Sequence, residues 1–314
     1  MAGSRIVAMG HYQPSRVVTN DEIAQMVDTN DEWIRDRVGI ATRRIAGDET
    51  VADMATAAAG KALANSGLTA ADIDMVVVAT CSSVDRSPNV ACRVAAKLGV
   101  TAPAAYDLNT ACSGFAYGLG TVDHAIRAGA ARNAIVVGAE KLSDFTDWTD
   151  RSTCIIFADG AGAAVVTATA DDEPAGIGPV VWGSAPEKSD AVRIEGWQPY
   201  ITQEGQSVFR WATTALAPLA LQACERAGVA PSELAAFVPH QANGRIIDGI
   251  AKRLNIPDAI IAKDIVESGN TSAASIPLAL SKLVERREVP SGAPVLLFGF
   301  GGGLTYAGQV VRCP

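Results

Sequence analysis

The sequence has no apolar run of the roughly 18 residues that a membrane-spanning helix requires. The first residues, MAGSRIVAMGHYQPSR, lack the long apolar core of a secretory signal peptide. Six cysteines are scattered along the chain, with no CxxC pair and no metal-ligand spacing. We therefore expect a cytoplasmic protein with free thiols, no membrane span and no bound metal.

Aromatic residues are scarce at 5%, and the 26 Lys and Arg are outnumbered by 34 Asp and Glu, which gives a net charge of −8. A negatively charged surface does not attract nucleic acid, so binding of nucleic acid would require a local basic patch. Hydrophobic residues make up 48% of the 314 residues, with Ala, Gly and Val abundant. Such a composition supports a large core of closely packed helices and parallel strands.

Short buried strands alternate with Ala-rich helical stretches. The strands are predicted at 75–80, 134–139, 162–168, 235–240 and 294–300, and the helices at 51–65, 111–129, 211–227, 243–254 and 271–286. This alternation predicts a layered α/β fold with much parallel pairing.

The two halves of the chain resemble each other. The segment at 66–79, SGLTAADIDMVVVA, lines up with the segment at 227–240, AGVAPSELAAFVPH. We term the shift in residue number from 66 to 227 the repeat offset. At the same offset, IVVG at 135–138 falls on LLFG at 296–299. Two matches at one offset favour duplication of a supersecondary unit over a chance similarity.

Cys112 lies in LNTACSGFAYGLG, at the predicted start of a glycine-containing helix. A helix N-terminus stabilises anions and lowers the pKa of a thiol placed there, which predicts a nucleophile. After attack on a carbonyl, nearby backbone N–H groups would hold the resulting oxyanion. The alternative is a small buried hydrophobe, the common role of a free cysteine.

Two further polar residues fall near Cys112 if the halves pack about a pseudo-twofold axis. At the repeat offset Cys112 corresponds to Ala273, which is close to Asn270 in SGNTSAASIPLAL, and His240 ends the predicted strand 235–240. Ligands of α/β sheets bind where strands end and helices begin, so the three residues would share one pocket. The alternatives are an ordinary strand-end histidine and an asparagine that caps a helix.

The glycine-rich stretch FGFGGGLTYAG at 298–308 resembles a nucleotide-binding loop. Only the short segment 301–314 follows Phe300, however, which leaves no room for a crossover helix, another strand and the acidic residue that dinucleotide binding needs. We therefore expect these glycines to let backbone N–H groups approach a substrate.

Six motifs, in this order and spacing, closely resemble the β-ketoacyl-acyl-carrier-protein synthase III family: DTNDEWIRDRVGI, ACSGFAYGL, DRSTCIIFADGAGAAVV, PHQANGRII, GNTSAASIPLAL and FGFGGGLTY. The resemblance covers essentially the whole chain. It implies a thiolase-like, five-layered α-β-α-β-α fold made of two duplicated halves. The N-terminal half, 1–172, would carry the nucleophilic cysteine, and the C-terminal half, 173–314, would carry the histidine and the asparagine.

The implied reaction is a decarboxylative Claisen condensation that initiates type II fatty acid synthesis. A short-chain acyl-CoA would acylate Cys112, and malonyl-acyl-carrier protein would then lose CO2 and attack the acyl group. By resemblance, the N–H groups of Cys112 and Gly302 form an oxyanion hole, His240 and Asn270 bind the enolate, and Phe300 packs beside the malonyl group. No metal or redox cofactor is implied.

The CoA is expected in a tunnel that leads to Cys112. Trp33 and Arg37 are four residues apart on a short predicted helix, and such a pair can clamp an aromatic ring, which by resemblance is the adenine. A plain surface contact between them is the alternative. Gln206 stands where an asparagine is familiar in the family. The other residues on CoA-lining positions are Thr29, Arg151, Phe209 and Asn243.

A basic stripe lies on the predicted helix 243–254. Arg245 and Lys252 lie within about 20° of each other around a helix, with Arg253 further round. An exposed stripe is usually a solvated face. In a chain of charge −8 we favour a docking patch for the acidic carrier protein, with Arg210 contributing.

Ser87 lies in VDRSPNV, which resembles the loop that a partner subunit inserts into the acyl pocket of a homodimer. Some relatives carry a bulky aromatic residue there. The small serine therefore predicts room for branched or longer primers as well as acetyl.

Two other enzymatic functions remain open. A priming enzyme of polyketide or other secondary metabolism would share every catalytic residue. A thioester hydrolase would use Cys112 and His240 with water as the acceptor. A non-catalytic homologue is disfavoured because all three reactive positions are filled.

Overall fold

The computed structural model of the protein describes residues 3–196 and 200–314. Its strands, numbered in chain order, are β1 (Ser4–Tyr12), β2 (Arg16–Thr19), β3 (Thr42–Ile45), β4 (Met75–Ala79), β5 (Ala104–Leu108), β6 (Asn133–Lys141), β7 (Asp159–Ala168), β8 (Val181–Ser184), β9 (Val192–Arg193), β10 (Thr202–Gln203), β11 (Ala236–Pro239), β12 (Ile260–Ile261), β13 (Pro294–Gly301) and β14 (Thr305–Arg312). All five predicted strands are confirmed.

Ten of these strands form two sheets with the same plan. The first has the order β1-β7-β6-β4-β5, and the second has the order β8-β14-β13-β11-β12. In both, the first three strands alternate in direction and the last three run parallel. The remaining strands form two small ribbons, β2 with β3 and β9 with β10.

The repeat offset relates the two halves element by element. It carries the first residue of β4 to that of β11 and the first residue of β6 to that of β13. Gly67 and Gly228, which it also relates, both end a helix in the left-handed conformation, with φ of +76° and +66°. The predicted duplication is therefore present in the fold. The division of the chain at residue 172 stays a prediction.

The helices, again in chain order, are α1 (Asn20–Ala24), α2 (Asp31–Val38), α3 (Val51–Ser66), α4 (Val90–Leu98), α5 (Gly114–Arg127), α6 (Arg151–Cys154), α7 (Gly205–Ala227), α8 (Gly244–Leu254), α9 (Ile265–Ser268) and α10 (Ser275–Glu285). The described residues include no helix that combines the length and the apolarity needed to cross a bilayer.

These helices and the two sheets make five layers. α3 and α4 pack on the outer face of the first sheet, and α7 and α8 cover the outer face of the second. α5 and α10 lie between the sheets and contact both. This is the predicted thiolase-like arrangement.

The central layer is apolar because both of its helices are buried on nearly all sides. Phe115, Leu119 and Val122 of α5 share one core with Leu280 and Leu283 of α10 and with strand residues of both sheets. Burial of side chains of this size contributes about 1.5–3 kcal/mol each. This core holds the starts of α5 and α10 at fixed positions between the sheets.

Three predicted helix starts differ from the structure. The helix predicted from residue 271 begins at Ser275, after a short 3₁₀ turn over Ser272–Ala274. The α-helix predicted from residue 111 begins at Gly114, after a short 3₁₀ turn over Ala111–Ser113. The helix predicted from 211 begins at Gly205, where Glu204 provides no side-chain cap, so the local sequence carries no start signal.

A substitution at Gly138 of β6 can test the contact between the two halves. A Cβ added there would lie 2.2 Å from the backbone oxygen of Ala273, in the turn before α10. We expect Gly138→Ala to lower the free energy of unfolding by about 2–3 kcal/mol, because the added methyl group would force the two backbones apart.

Gly60 is the matched control, since a Cβ added there, inside α3, meets only Leu98 Cδ2 at 3.5 Å. Gly60→Ala should raise the free energy of unfolding by up to about 1 kcal/mol through helix propensity. Chemical denaturation of both variants measures the difference. Equal stability of the two variants would contradict the close approach.

Candidate active site

Two 3₁₀ turns, Ala111–Ser113 before α5 and Ser272–Ala274 before α10, meet between the sheets. Their first residues, Ala111 and Ser272, are related by the repeat offset and have φ of +46° and +47°. A left-handed conformation costs a non-glycine residue about 1–3 kcal/mol and persists only where the surroundings enforce it. The two halves therefore present the same strained turn to each other.

Cys112 occupies the first of these turns and is held against the end of β13. A Cβ added at Gly301 would lie 2.7 Å from the sulfur, so only glycine fits there. The Ser272 hydroxyl and the backbone N–H groups of Gly302 and of Cys112 itself face the sulfur and favour its thiolate form. Donors from both halves of the chain thus converge on one thiol.

The thiol does not have the lowered pKa expected from the sequence. Burial raises the pKa of Cys112 to about 11; the Ser272 hydroxyl opposes this rise, and the negative charge of Glu140 adds to it. The expectation was wrong because Cys112 lies in the turn before α5, where the cost of desolvating a thiolate exceeds the stabilisation by N–H groups.

His240 follows β11 and is 2% exposed. Its backbone N–H donates to Phe298 O at 2.8 Å, and its Nδ1 lies 2.8 Å from the Ser275 hydroxyl. The imidazole meets the Phe300 ring edge to face, with 5.3 Å between centroids. Burial lowers the pKa of His240 to about 3, so the ring is neutral at physiological pH.

Asn270 is fixed by both its backbone and its side chain. Its N–H donates to Ile156 O at 3.0 Å, and its C=O accepts from Ala158 N at 2.9 Å. The side-chain Oδ1 accepts the Ser272 N–H at 2.8 Å. Because the amide oxygen is occupied in this way, the Nδ2 group is the end that Asn270 can offer to a ligand.

The three predicted residues share neighbours. Phe300 touches the His240 ring, and the next two residues, Gly301 and Gly302, touch Cys112. Ser272 donates its backbone N–H to the Asn270 amide oxygen, and its hydroxyl faces the Cys112 sulfur. The structure thus gathers a thiol, two N–H groups, a neutral imidazole and a carboxamide in one buried place.

The sequence prediction missed two serines of this site, Ser272 and Ser275. Both lie in the GNTSAAS motif, and this motif could have identified them as residues of the site. Their hydroxyls approach Cys112 and His240, which lie far from them in the chain.

A buried carboxylate behind the thiol was also missed. Glu140 accepts hydrogen bonds from Ser82 Oγ and, at 3.3 Å, from the Cys81 thiol, and Cys81 Sγ lies 3.9 Å from Ser272 Oγ. The Ser272 hydroxyl is therefore close to two thiols, those of Cys81 and Cys112.

The predicted clamp of Trp33 and Arg37 needs correction. The guanidinium over the Trp33 ring is that of Arg151, 5.0 Å from the centroid, and Arg151 Nη1 also donates to Asp28 O at 2.9 Å. The packing of α6 beside the N-terminus of α2 brings this arginine there, a contact that i,i+4 spacing cannot show. Arg37 instead accepts, through its backbone O, the Asn243 amide at 3.1 Å.

The remaining predicted CoA residues lie on α7, at the start of α8 and just before α2. Asn243 caps α8, and Phe209 of α7 stacks under Arg245 at 5.7 Å. Gln206 lines a surface groove of about 630 Å³ together with Arg210. The Thr29 hydroxyl is buried, with no hydrogen-bond partner among the residues that the structure describes.

The predicted basic residues are exposed, as is Ser87. Arg245, Lys252 and Arg253 project from α8, whose apolar side is buried against α7 and the second sheet. Ser87 lies on the exposed loop between β4 and α4. Among the described residues, no group of three or more His, Cys, Asp or Glu side chains is placed to hold a metal ion.

Two family models match the chain. The model of 3-oxoacyl-[acyl-carrier-protein (ACP)] synthase III matches residues 106–186, and the model of its C-terminal region matches residues 224–313. These ranges contain Cys112, His240 and Asn270.

Relatives of known name match over their full length. The chain is 64% identical to β-ketoacyl-[acyl-carrier-protein] synthase III 4 of Streptomyces coelicolor, with 99% of each chain covered. The fold superposes on the priming β-ketosynthase of the R1128 polyketide pathway with a TM-score of 0.97 and 40% identity, over 99% of this chain and 96% of that one. It superposes on the 3-oxoacyl-[acyl-carrier-protein] synthase III of Aquifex aeolicus with a TM-score of 0.94 and 40% identity, over 99% and 100%.

The shared motifs, the duplicated halves and the full-length identity lead to one conclusion. The chain belongs to the β-ketoacyl-[acyl-carrier-protein] synthase III family, whose members are condensing acyltransferases.

Proposed function

We propose that the protein condenses a short-chain acyl-CoA with malonyl-acyl-carrier protein, giving 3-ketoacyl-acyl-carrier protein, CoA and CO2, and so initiates type II fatty acid synthesis. The observation that carries the proposal is the meeting of Cys112 with the turn that contains Ser272 and with Gly301, whose neighbour Phe300 contacts a neutral His240. A thiol, an oxyanion hole and uncharged donors are what a two-step acyl transfer requires.

In the first step the Cys112 sulfur attacks the thioester carbon of acyl-CoA. The carbonyl oxygen becomes an oxyanion, which the N–H groups of Cys112 and Gly302 hold. Collapse of this intermediate breaks the bond to CoA, and the proton of the cysteine leaves with the CoA thiol. The acyl group remains on the enzyme as a thioester.

In the second step malonyl-acyl-carrier protein loses CO2, and the electron pair of the broken bond forms an enolate. The oxygen of the enolate receives hydrogen bonds from His240 and from the Asn270 amide. The enolate carbon then attacks the acyl-cysteine, and the Cys112 thiolate leaves and takes up a proton. Hydrogen bonds supply all the charge stabilisation, so the proposal needs no metal or redox cofactor.

We assign CoA binding to two groups of the predicted residues. The Trp33 ring and the Arg151 guanidinium, already stacked on each other, would hold the adenine. The pantetheine arm would pass Thr29, Arg37, Gln206, Phe209 and Asn243 towards Cys112. The apolar Phe300, at 1% exposure, would shield the malonyl group from water.

The carrier protein would dock on the exposed basic residues of α7 and α8, which are Arg210, Arg245, Lys252 and Arg253. The chain has a net charge of −8, so a cluster of cations on one face stands out as a surface for an acidic partner. Asn243, one of the proposed CoA residues, caps the same helix, which supports a docking face close to the proposed CoA path.

We further propose a cytoplasmic homodimer. The scattered cysteines fit a reducing compartment. Residues 84–88 are exposed, and Val84 among them is 75% exposed, so this part of the loop is available to a second subunit, as the family resemblance implies. Ser87 of each subunit would then border the acyl pocket of the other.

A second candidate is the priming step of polyketide synthesis, favoured by the superposition on the R1128 priming ketosynthase at a TM-score of 0.97. It uses the same chemistry and differs in the acceptor carrier protein. Rates with carrier proteins of the two pathway types, measured side by side, separate the two functions.

The division of labour between the residues is testable in half-reactions. Cys112→Ser should abolish acyl transfer, whereas His240→Ala and Asn270→Ala should lower release of CO2 from malonyl-carrier protein by about 10²–10³ and largely spare acylation of Cys112. Product analysis and labelled CO2 measure the two steps.

His124→Ala is the control, because that histidine is exposed and its ring contacts Trp182. Equal loss of both half-reactions in the His240 and Asn270 variants would contradict the assignment. Free acid without a new carbon–carbon bond would identify a thioester hydrolase instead.

The reactivity of Cys112 should depend steeply on pH. Since burial raises the pKa of this thiol to about 11, the thiolate fraction increases about tenfold per pH unit at all pH values well below 11. Alkylation by iodoacetamide, followed by mass spectrometry of the peptide that contains Cys112, should show this slope between pH 6 and pH 9 as rough limits. A rate that levels off near neutral pH would contradict the raised pKa.

The small side chain at Ser87 predicts a tolerant acyl pocket. In competition, isobutyryl-CoA should be used at a rate within about tenfold of acetyl-CoA, and Ser87→Phe should shift the preference to acetyl-CoA. A strong preference of the unaltered protein for acetyl-CoA would refute the prediction.

A further inference from the structure

Ser275 is a buried hydroxyl in contact with the catalytic imidazole. It is the first residue of α10, is 1% exposed, and its Oγ lies 2.8 Å from His240 Nδ1. The same oxygen accepts the backbone N–H of Gln241 at 3.3 Å. Ser275 therefore connects the residues after β11 to the start of the central helix.

The hydrogen-bond arrangement decides which ring nitrogen carries the proton. A serine hydroxyl has one hydrogen and two lone pairs, and the Gln241 N–H uses one lone pair. If His240 Nδ1 were protonated, it would donate to the other lone pair. The hydroxyl hydrogen would then need a third partner, and no described residue provides one.

The opposite arrangement satisfies every group. The Ser275 hydroxyl donates to an unprotonated Nδ1, and the single proton of the neutral ring lies on Nε2. Leaving a buried hydroxyl hydrogen without an acceptor would disfavour the other tautomer by roughly tenfold to a hundredfold.

We propose that Ser275 is a positioning residue that holds His240 in its Nε2–H tautomer, so that this N–H points to the oxygen of the malonyl-derived enolate. The inference rests on the proposed function of the site. It adds to that function the group which makes His240 a hydrogen-bond donor, and it gives Ser275 a role in the second half-reaction only.

The chain provides a matched control on the same helix. His11 Nδ1 of β1 lies 2.8 Å from the hydroxyl of Ser281 in α10, and His11 Nε2 lies 3.7 Å from Glu285. Burial and the charge of Lys61 lower the pKa of His11 to about 4, so this ring is also neutral at pH 7. Ser281 thus makes the same kind of pair with a histidine that has no part in the proposed chemistry.

Long-range proton–nitrogen NMR of the ¹⁵N-histidine-labelled protein reads the tautomer directly. The sequence has three histidines, and His11→Ala and His124→Ala assign the signals by elimination. In the unaltered protein at pH 7 we expect a bare Nδ1 and a protonated Nε2 for His240. A protonated Nδ1 would overturn the proposal, and this measurement requires no change at Ser275.

Three variants add a functional readout. Ser275→Ala should mix the tautomers of His240 and lower CO2 release from malonyl-carrier protein by about tenfold to a hundredfold, while acylation of Cys112 by acyl-CoA stays within about twofold. Ser275→Thr retains the hydroxyl and should restore both the tautomer and the rate. Ser281→Ala should alter the His11 signals alone.

Normal CO2 release by Ser275→Ala would also overturn the proposal. Failure of the proposed function has a different signature, because it would appear as the lack of any 3-ketoacyl product from the unaltered protein, whatever the tautomer of His240.

Discussion

The contact between the two 3₁₀ turns, Ala111–Ser113 and Ser272–Ala274, is the constraint on which the rest of the structure depends. Each turn begins with a left-handed non-glycine residue, and the two come from corresponding positions of the duplicated halves. Gly138, which has no side chain, lets the second turn approach β6. The reactive thiol comes from one turn, and the hydroxyl that favours its thiolate form comes from the other. A site of this kind exists only when both halves are folded and packed together.

Burial controls the electrostatics of the site. The same desolvation that raises the pKa of Cys112 to about 11 lowers the pKa of His240 to about 3, so both groups rest in their neutral forms. Neutral donors suit the reaction, since the charge they stabilise appears on a substrate oxygen and is absent before the reaction begins. The apolar ring of Phe300 lies next to His240. In the proposed mechanism it would offer no partner to a malonyl carboxylate, which would favour loss of that group as CO2. The hydroxyls of Ser272 and Ser275 then orient the neutral Cys112 thiol and the neutral His240 imidazole, respectively.

Much of the fold and the central residues of the site could be predicted from the sequence. The repeat offset identified the duplication, and the motifs around Cys112, His240 and Asn270 identified the family. Other features depend on contacts between distant segments and were beyond such a prediction. Arg151 lies over Trp33 because α6 packs beside α2. The direction of the pKa shift of Cys112 follows from the loss of solvent around its sulfur in the folded chain. The spacing of residues along the chain predicted a pair of Trp33 with Arg37 and a thiolate stabilised by a helix N-terminus. Such spacing carries information on contacts within one helix and none on contacts between distant segments.

The central claim is that Cys112 carries the acyl group, and one measurement tests it most directly. The protein is mixed with a panel of acyl-CoA thioesters without carrier protein, its intact mass is recorded, and the modified peptide is sequenced. The account predicts one acyl group per chain, located on Cys112. The neighbouring Cys81 makes the location informative, since its thiol lies 3.9 Å from the same Ser272 hydroxyl. An unmodified protein, or an acyl group on Cys81 in place of Cys112, would contradict the account.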